Sequence, residues 1–146
     1  MTILFICYWG LEDVLTQGAV LPHIQQLVKL ERVHQVLLVT LEHEERIAIT
    51  STVYPAKLPD KVRHLSIFLK PYQLNLLSKI ADFIILPSQL KDIVSDESVD
   101  AVVASGALAG ALAYKVWQKT GCAFYVIFEP HASYMLDTKV WKWYDP

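Results

Sequence analysis

The sequence predicts an α/β protein in which helices cover both faces of a doubly wound parallel sheet, giving three layers, α/β/α. Two observations support this prediction. Segments whose apolar residues recur every three or four positions, the period of a helix, alternate with short apolar runs. The runs mostly lack an apolar–polar alternation, as is typical of parallel strands buried on both faces: 3–8, 36–41, 62–68, 101–104 and 123–128. Strands and helices in this order predict right-handed crossover connections.

The first two helices are predicted from their apolar spacing. The first is expected to begin near Ala19, with one apolar face made by Val20, Ile24, Leu27 and Val28. Proline lacks an amide proton and crowds the preceding turn, so Pro87 is expected to end or kink the second helix. A short helix would restart there, with Leu90, Ile93 and Val94 facing inward. The second helix itself is marked by Leu74, Leu77, Ile80, Ala81 and Ile84.

The helix after the fourth strand is rich in alanine and glycine, which predicts close packing against the sheet. Gly121 follows it and is expected to stop it, because a left-handed residue at that position costs glycine little. Residues 50–60, with two prolines, are expected to be irregular. The inner face of the helix after the fourth strand is predicted from Leu108, Ala111, Leu112 and Val116.

Composition limits the functional classes. At 146 residues, 53% apolar and 19% charged, the chain is long and apolar enough for one folded domain, residues 1–146. A net charge of −2 argues against a nucleic-acid binder. Cys7 and Cys122 have no metal-ligand spacing, so we expect buried thiols in a reducing cytoplasm and no metal site. Neither a signal peptide nor an apolar run long enough to span a bilayer is found.

Polar clusters follow three of the predicted strands. Because the carboxyl ends of parallel strands meet at one edge, where ligands bind, we expect these clusters to form a site. The loop from Trp9 to Gly18 could offer backbone N–H groups and a helix N-terminus to a ligand. Ser105 and Gly106 end the fourth strand, where Ser105 could cap the next helix and also touch a ligand.

The third cluster, Glu129-Pro130-His131, follows the fifth strand. A histidine at a strand end can act as a general base or hydrogen-bond donor near neutral pH. His23, early in a helix, is instead expected to be solvated or to act as a cap.

Together the three clusters resemble the N-terminal domain of retaining glycosyltransferases of the glycogen-synthase-like, family-four type, which pair two Rossmann-like domains. The opening residues 3–10, with Gly18 and the following Val20-Leu21-Pro22-His23, look like the family's first strand, loop and helix. Residues 100–106 look like its fourth strand and turn. Phe128-Glu-Pro-His131 matches the place of a family histidine, whereas Ser105 stands where the family often has a histidine.

The resemblance implies a transferase that moves a sugar from a nucleotide-sugar donor to a glycan or lipid-linked acceptor, with no further cofactor. His131 and Glu129 are implied as catalytic residues, and Gly10, Gln17, Gly18, Ser105 and Gly106 as substrate-binding residues. The family's second, donor-binding domain does not follow in this sequence. We therefore expect an N-terminal, acceptor-binding piece of a longer enzyme, inactive alone. Apolar loop residues (Trp9, Val14 and Leu15) leave a peripheral membrane contact open.

Two other classes stay open. A receiver-like regulatory module needs an acidic pair after strand one and an aspartate after strand three, where this chain has Cys7-Tyr8-Trp9 and Lys70-Pro71-Tyr72. A nicotinamide-dependent oxidoreductase domain would place an acidic residue such as Glu42 on the ribose. It also needs the GxGxxG fingerprint, whereas Gly10 and Gly18 stand eight residues apart.

Overall fold

The computed structural model describes residues 1–43, 57–69 and 75–127, without the side chains of residues 43, 75–79 and 81. Five strands form one sheet in the order β3-β2-β1-β4-β5, and every pairing is parallel. The predicted fold class, a doubly wound parallel sheet, is confirmed. The strands are β1 (Thr2–Cys7), β2 (Gln35–His43), β3 (Val62–Leu69), β4 (Ala101–Ser105) and β5 (Phe124–Ile127).

The helices differ from the prediction at two places. A π-helical segment, Thr16–Val20, runs directly into α1 (Leu21–Leu27), so helical structure begins before the predicted start at Ala19. The helix α2 (Asn75–Asp96) is continuous through Pro87, which therefore does not end it. The third helix is α3 (Gly106–Thr120).

Two apolar cores lie on opposite faces of the sheet and explain the unbroken apolar runs. In β1, Leu4 and Ile6 face α2 and α3, whereas Ile3 and Phe5 face α1. Both sets are buried because helices cover both faces, so neither face needs polar residues. The inward residues of α2 include Leu86, Leu90 and Val94.

Some predicted inward residues point to solvent instead. Ile80 and Ile84, one turn apart on α2, are 49% and 71% exposed. In α3, Ala111 is exposed while Ala109, Leu112, Ala113 and Val116 are buried. Ala111 met the apolar spacing but carries too little surface to define a face.

Glycines fix both the packing and the end of α3. A Cβ on Gly110 would lie 2.9 Å from Cγ1 of Val126, so the predicted close approach of helix and sheet needs a glycine here. Gly121 adopts a left-handed φ of 70° and donates its N–H to the carbonyl of Trp117, as predicted for a helix stop.

Candidate functional site

The carboxyl ends of four strands form one row across the sheet. Thr40 of β2 pairs with Cys7 of β1, Cys7 pairs with Ser105 of β4, and Ser105 pairs with Ile127 of β5. The loops predicted to bind ligand after β1 and β4 therefore lie side by side at one edge.

The connections that leave this row change sides of the sheet between β1 and β4. The chain leaves β1 toward α1 on one face and leaves β4 toward α3 on the other, because the two helices pack into different cores. Divergence of two neighbouring connections creates the crevice in which doubly wound sheets bind ligands. The loop of residues 8–15, which we call the β1 loop, flanks one side, and Gly106 flanks the other.

Gly106 begins α3 with a φ of 82°, and no atom lies within 4 Å of the position a Cβ would take. Any residue other than glycine would be strained by this φ, although there is open space beside the backbone. Ser105 occupies the N-cap position with an extended backbone, as expected, but its side chain makes no capping hydrogen bond. The side chain of Ser105 does interact elsewhere in the chain.

Asp13 starts the helical segment after β1. Its Oδ1 accepts the N–H of Leu15 at 2.9 Å, and its carbonyl accepts the N–H of Gln17 at 2.9 Å, which is the geometry of a helix N-cap. The N–H of Asp13 itself is donated to the carbonyl of Gly10, and that of Leu11 to Glu42. The backbone N–H groups of Leu11, Asp13, Leu15 and Gln17, which were expected to be available to a ligand, therefore donate to acceptors within the chain.

The predicted residues Gln17 and Gly18 lie in the π-helical segment rather than in the loop. The side-chain amide of Gln17 donates to the carbonyl of Leu11 at 2.6 Å and ties the helix to the β1 loop. Gly18 is exposed, and a Cβ there would meet no atom within 4 Å. Single π-helical turns are frequent at functional sites, because they widen the helix locally.

A polar pair joins the end of β1 to α2 at this edge. Tyr8 is 4% and Asp82 5% exposed. Burial raises the pKa of the Tyr8 hydroxyl, and the Asp82 carboxylate raises it further. The pair places the middle of α2 level with the crevice, an arrangement that the sequence did not indicate.

The apolar residues of the β1 loop divide into two kinds. Trp9 is half-buried and packs edge-on against Tyr8, with ring centroids 6.0 Å apart. Val14 and Leu15 are 79% and 40% exposed. Phe68, at the end of β3, is 62% exposed. Among the described residues, no helix is long and apolar enough to cross a membrane.

The remaining predicted residues have different outcomes. Glu129 and His131 lie outside the described residues. His23 is exposed, and its Nδ1 donates to the carbonyl of Ala19 at 2.7 Å, as expected for a solvated helix histidine. The thiol of Cys7 is buried and lies 3.3 Å from the hydroxyl oxygen of Thr16, whereas Cys122 is only partly buried. The described part of the chain contains no group of three side chains suited to a metal ion.

One cavity was not predicted. It has a volume of about 510 Å³ and lies on the α1 side of β4 and β5, away from the crevice. Residues of the sheet face (Ile3, Val103, Tyr125 and Ile127) and of α1 (His23 and Leu27) line it. Its lining residues come from four separate stretches of sequence, so no local pattern could have indicated it.

No protein-family model matches the chain, and no curated protein matches it. Solved structures do match. A UGT transferase from Siraitia grosvenorii in complex with UDP aligns over 87% of this chain with a TM-score of 0.60 and 16% identity. The fold is one that solved glycosyltransferases contain. Phytolacca americana UGT2, complexed with UDP-2fluoro-glucose and pterostilbene, aligns over 87% of the chain with a TM-score of 0.53 and 17% identity.

The chain spans less than a third of these enzymes, 27% of the first and 30% of the second. Identities this low establish the shared fold and leave the function to be argued from the site. The glycogen-synthase-like type stays a prediction.

Proposed function

We propose that the chain is the N-terminal, acceptor-binding domain of a glycosyltransferase that uses a nucleotide-sugar donor. The observation that carries the proposal is the crevice between β1 and β4, flanked by Gly106 with open space above it, in a fold that two solved glycosyltransferases share. Those two enzymes were solved with UDP and with UDP-2fluoro-glucose, so a sugar nucleotide is the first ligand class to test.

The charge of the β1 loop favours sugar hydroxyls over phosphates as its contacts. Glu12 and Asp13 supply carboxylates there, and residues 1–28 contain no lysine or arginine. Carboxylates accept hydrogen bonds from hydroxyl groups and repel a diphosphate. The β1 loop would therefore contact the acceptor. Charge on the leaving diphosphate would be stabilised by residues of a second domain.

The proposal includes the glycogen-synthase-like type of enzyme, whose catalytic residues would be Glu129 and His131, outside the described residues. His131 would hydrogen-bond the transferring sugar or orient the acceptor, and Glu129 would position His131 or bind acceptor hydroxyls. Gly10, Gly18, Ser105 and Gly106 would line the ligand, and Gln17 would act by bracing the loop through Leu11.

An acceptor with an apolar part, such as a lipid-linked sugar, is favoured by the exposed side chains beside the crevice. Val14 and Leu15 on the β1 loop and Phe68 on β3 project apolar surface at the same edge. Sedimentation with phosphatidylcholine–phosphatidylglycerol vesicles tests a membrane contact. Binding that Val14→Ser/Leu15→Ser weakens supports it, and absence of binding by the unaltered chain removes it.

Nuclear magnetic resonance titration tests the proposed site. UDP-glucose, UDP and NAD are added separately to the ¹⁵N-labelled chain. Shifts at Gly106 with the uridine nucleotides, and at Gly10 and Gly18 with the sugar-bearing UDP-glucose, support the proposal, whereas a response to NAD alone favours the oxidoreductase alternative. Glu42 already argues against that alternative, because its carboxylate is engaged by the N–H of Leu11 and the hydroxyl of Thr40.

A further inference from the structure

The carboxylate of Glu42 lies under the β1 loop at the end of β2. Its Oε1 accepts the N–H of Leu11 at 3.0 Å and the hydroxyl of Thr40 at 2.9 Å. The same Thr40 oxygen lies 2.7 Å from Nε2 of His64 on β3. One connected set of hydrogen bonds thus runs from β3 through β2 to the loop after β1.

The direction of these hydrogen bonds follows from the donors available. A threonine hydroxyl carries one proton, which goes to the Glu42 carboxylate. Nε2 of His64 must then be the protonated nitrogen and donate to Thr40. Burial lowers the pKa of His64, although Glu42 and Glu12 oppose this, so the neutral ring is favoured near neutral pH. Nε2 can donate to Thr40 from the neutral or the charged ring.

Both peptide groups that flank the Cα of Leu11 are held by hydrogen bonds. The Leu11 N–H is bound by Glu42, and the Leu11 carbonyl accepts the side-chain amide of Gln17 at 2.6 Å. A Cβ on Gly10 would lie 2.3 Å from Oε2 of Glu42, so the loop backbone rests directly on the carboxylate. Any side chain at position 10 would displace Glu42 from Leu11.

We propose that Glu42 is a positioning residue, which fixes the Gly10–Leu11 peptide and thereby holds the β1 loop in the position that forms one side of the crevice. The effect of Glu42 on ligand binding rests on the proposed function, whereas its effect on the position of the β1 loop does not. Glu42 acts through the loop backbone and has no contact with ligand of its own.

Amide hydrogen exchange on the 146-residue chain tests the role of Glu42. Glu42→Ala should speed exchange at Leu11 about tenfold or more, since a hydrogen bond to a charged acceptor is lost. Glu42→Gln keeps an oxygen at the same place and should restore most of the protection. Exchange at Phe5 and Leu38, deep in the sheet, should stay unchanged in both variants.

Gly10→Ala gives an independent version of the test and serves if Glu42→Ala does not fold. It should also expose the Leu11 amide, because the new methyl group pushes the carboxylate away. In the Glu42→Ala background the same substitution should add nothing at Leu11, since the obstructing carboxylate is gone. Unchanged Leu11 exchange in Glu42→Ala, or a loss of protection spread through the sheet, would overturn the proposal.

UDP-glucose titration separates this proposal from the proposed function. Weaker binding by Glu42→Ala than by Glu42→Gln supports the positioning role, and equal binding with an exposed Leu11 amide overturns it. If the unaltered chain shows no response at Gly10 and Gly106, the proposed function fails for this edge. The exchange measurements then still decide whether Glu42 positions the loop.

Discussion

At the residue scale, glycines that look alike in the sequence have different reasons to be glycine. Gly106 has a positive φ, whereas the φ of Gly18 lies outside that range within a π-helical segment. A Cβ on Gly10 would overlap the movable carboxylate of Glu42, and one on Gly110 would crowd the branched side chain of Val126. The sequence predicted that Gly10, Gly18 and Gly106 share an edge, but it could not assign these causes, since each depends on atoms from another element.

Gly106→Ala and Gly18→Ala should change stability in opposite directions. Alanine at the left-handed position 106 should lower the free energy of unfolding by about 1–2 kcal/mol. Alanine at position 18 should raise it by about 0.5–1 kcal/mol, because glycine is costly inside a helix. Urea unfolding of both variants measures the difference. A more stable Gly106→Ala would show that residue 106 does not adopt a left-handed φ.

His64 should make stability depend on pH. Its pKa is lowered in the folded state by burial, so the unfolded chain binds the proton more readily. The contribution of neutral His64 to the free energy of unfolding is fully present above the unfolded pKa of about 6.5. It is lost as the pH falls toward the folded pKa. Urea midpoints are measured from a pH of about 7.5 to a pH of about 5, on both sides of the unfolded pKa. As the pH falls, the midpoint should decrease less steeply in His64→Gln than in the unaltered chain. Equal slopes would exclude His64 as the source.

At the element scale, the strands were predicted closely and the helix boundaries less well. Strands buried on both faces leave a strong local signal, which explains the agreement for β1, β2 and β4. The edge strand β3 was also predicted, although Arg63, Ser66 and Phe68 on it are exposed. The start of the first helix was missed because Asp13 was assigned to a ligand loop, whereas it caps the helical segment through Leu15. Pro87 was expected to end or kink α2, and the helix does not end there, with Leu86 and Leu90 buried on either side of the proline. Burial of this face stabilises the helix enough to offset the missing hydrogen bond.

The contact between α3 and β5 gives a test at this scale. Gly110→Ala should lower the free energy of unfolding by about 1–2 kcal/mol, because the methyl group overlaps the branched side chain of Val126. In a Val126→Ala background the same change should be neutral or stabilising, since alanine favours a helix. A double-mutant cycle by urea unfolding measures the coupling, and additive effects would mean that the two residues are not in contact.

At the scale of the whole molecule, the doubly wound parallel sheet and the shared edge of the loops after β1 and β4 could be predicted from the sequence, and the polar network beneath the β1 loop could not. Glu42, Thr40 and His64 lie on two strands and meet only through the parallel register of β2 and β3. The Tyr8–Asp82 pair likewise joins distant segments. Such contacts depend on tertiary arrangement, and no spacing along the chain indicates them.

The proposed function predicts that this chain transfers no sugar by itself. Incubation with UDP-glucose and a range of sugar and lipid-linked acceptors should give no product detectable by mass spectrometry. A longer enzyme that contains the chain should be active under the same conditions. Transfer by the 146-residue chain would show that a second domain is not needed.

The central claim is that ligand binds at the carboxyl edge between β1 and β4. Amide shift mapping with UDP-glucose and a neutral oligosaccharide tests it most directly, because each residue of the edge reports separately. We predict shifts at Gly10, Gly18 and Gly106, with little change at Tyr125 and Val103 in the apolar cavity. Shifts confined to the cavity, or none at the edge with either ligand, would contradict the claim.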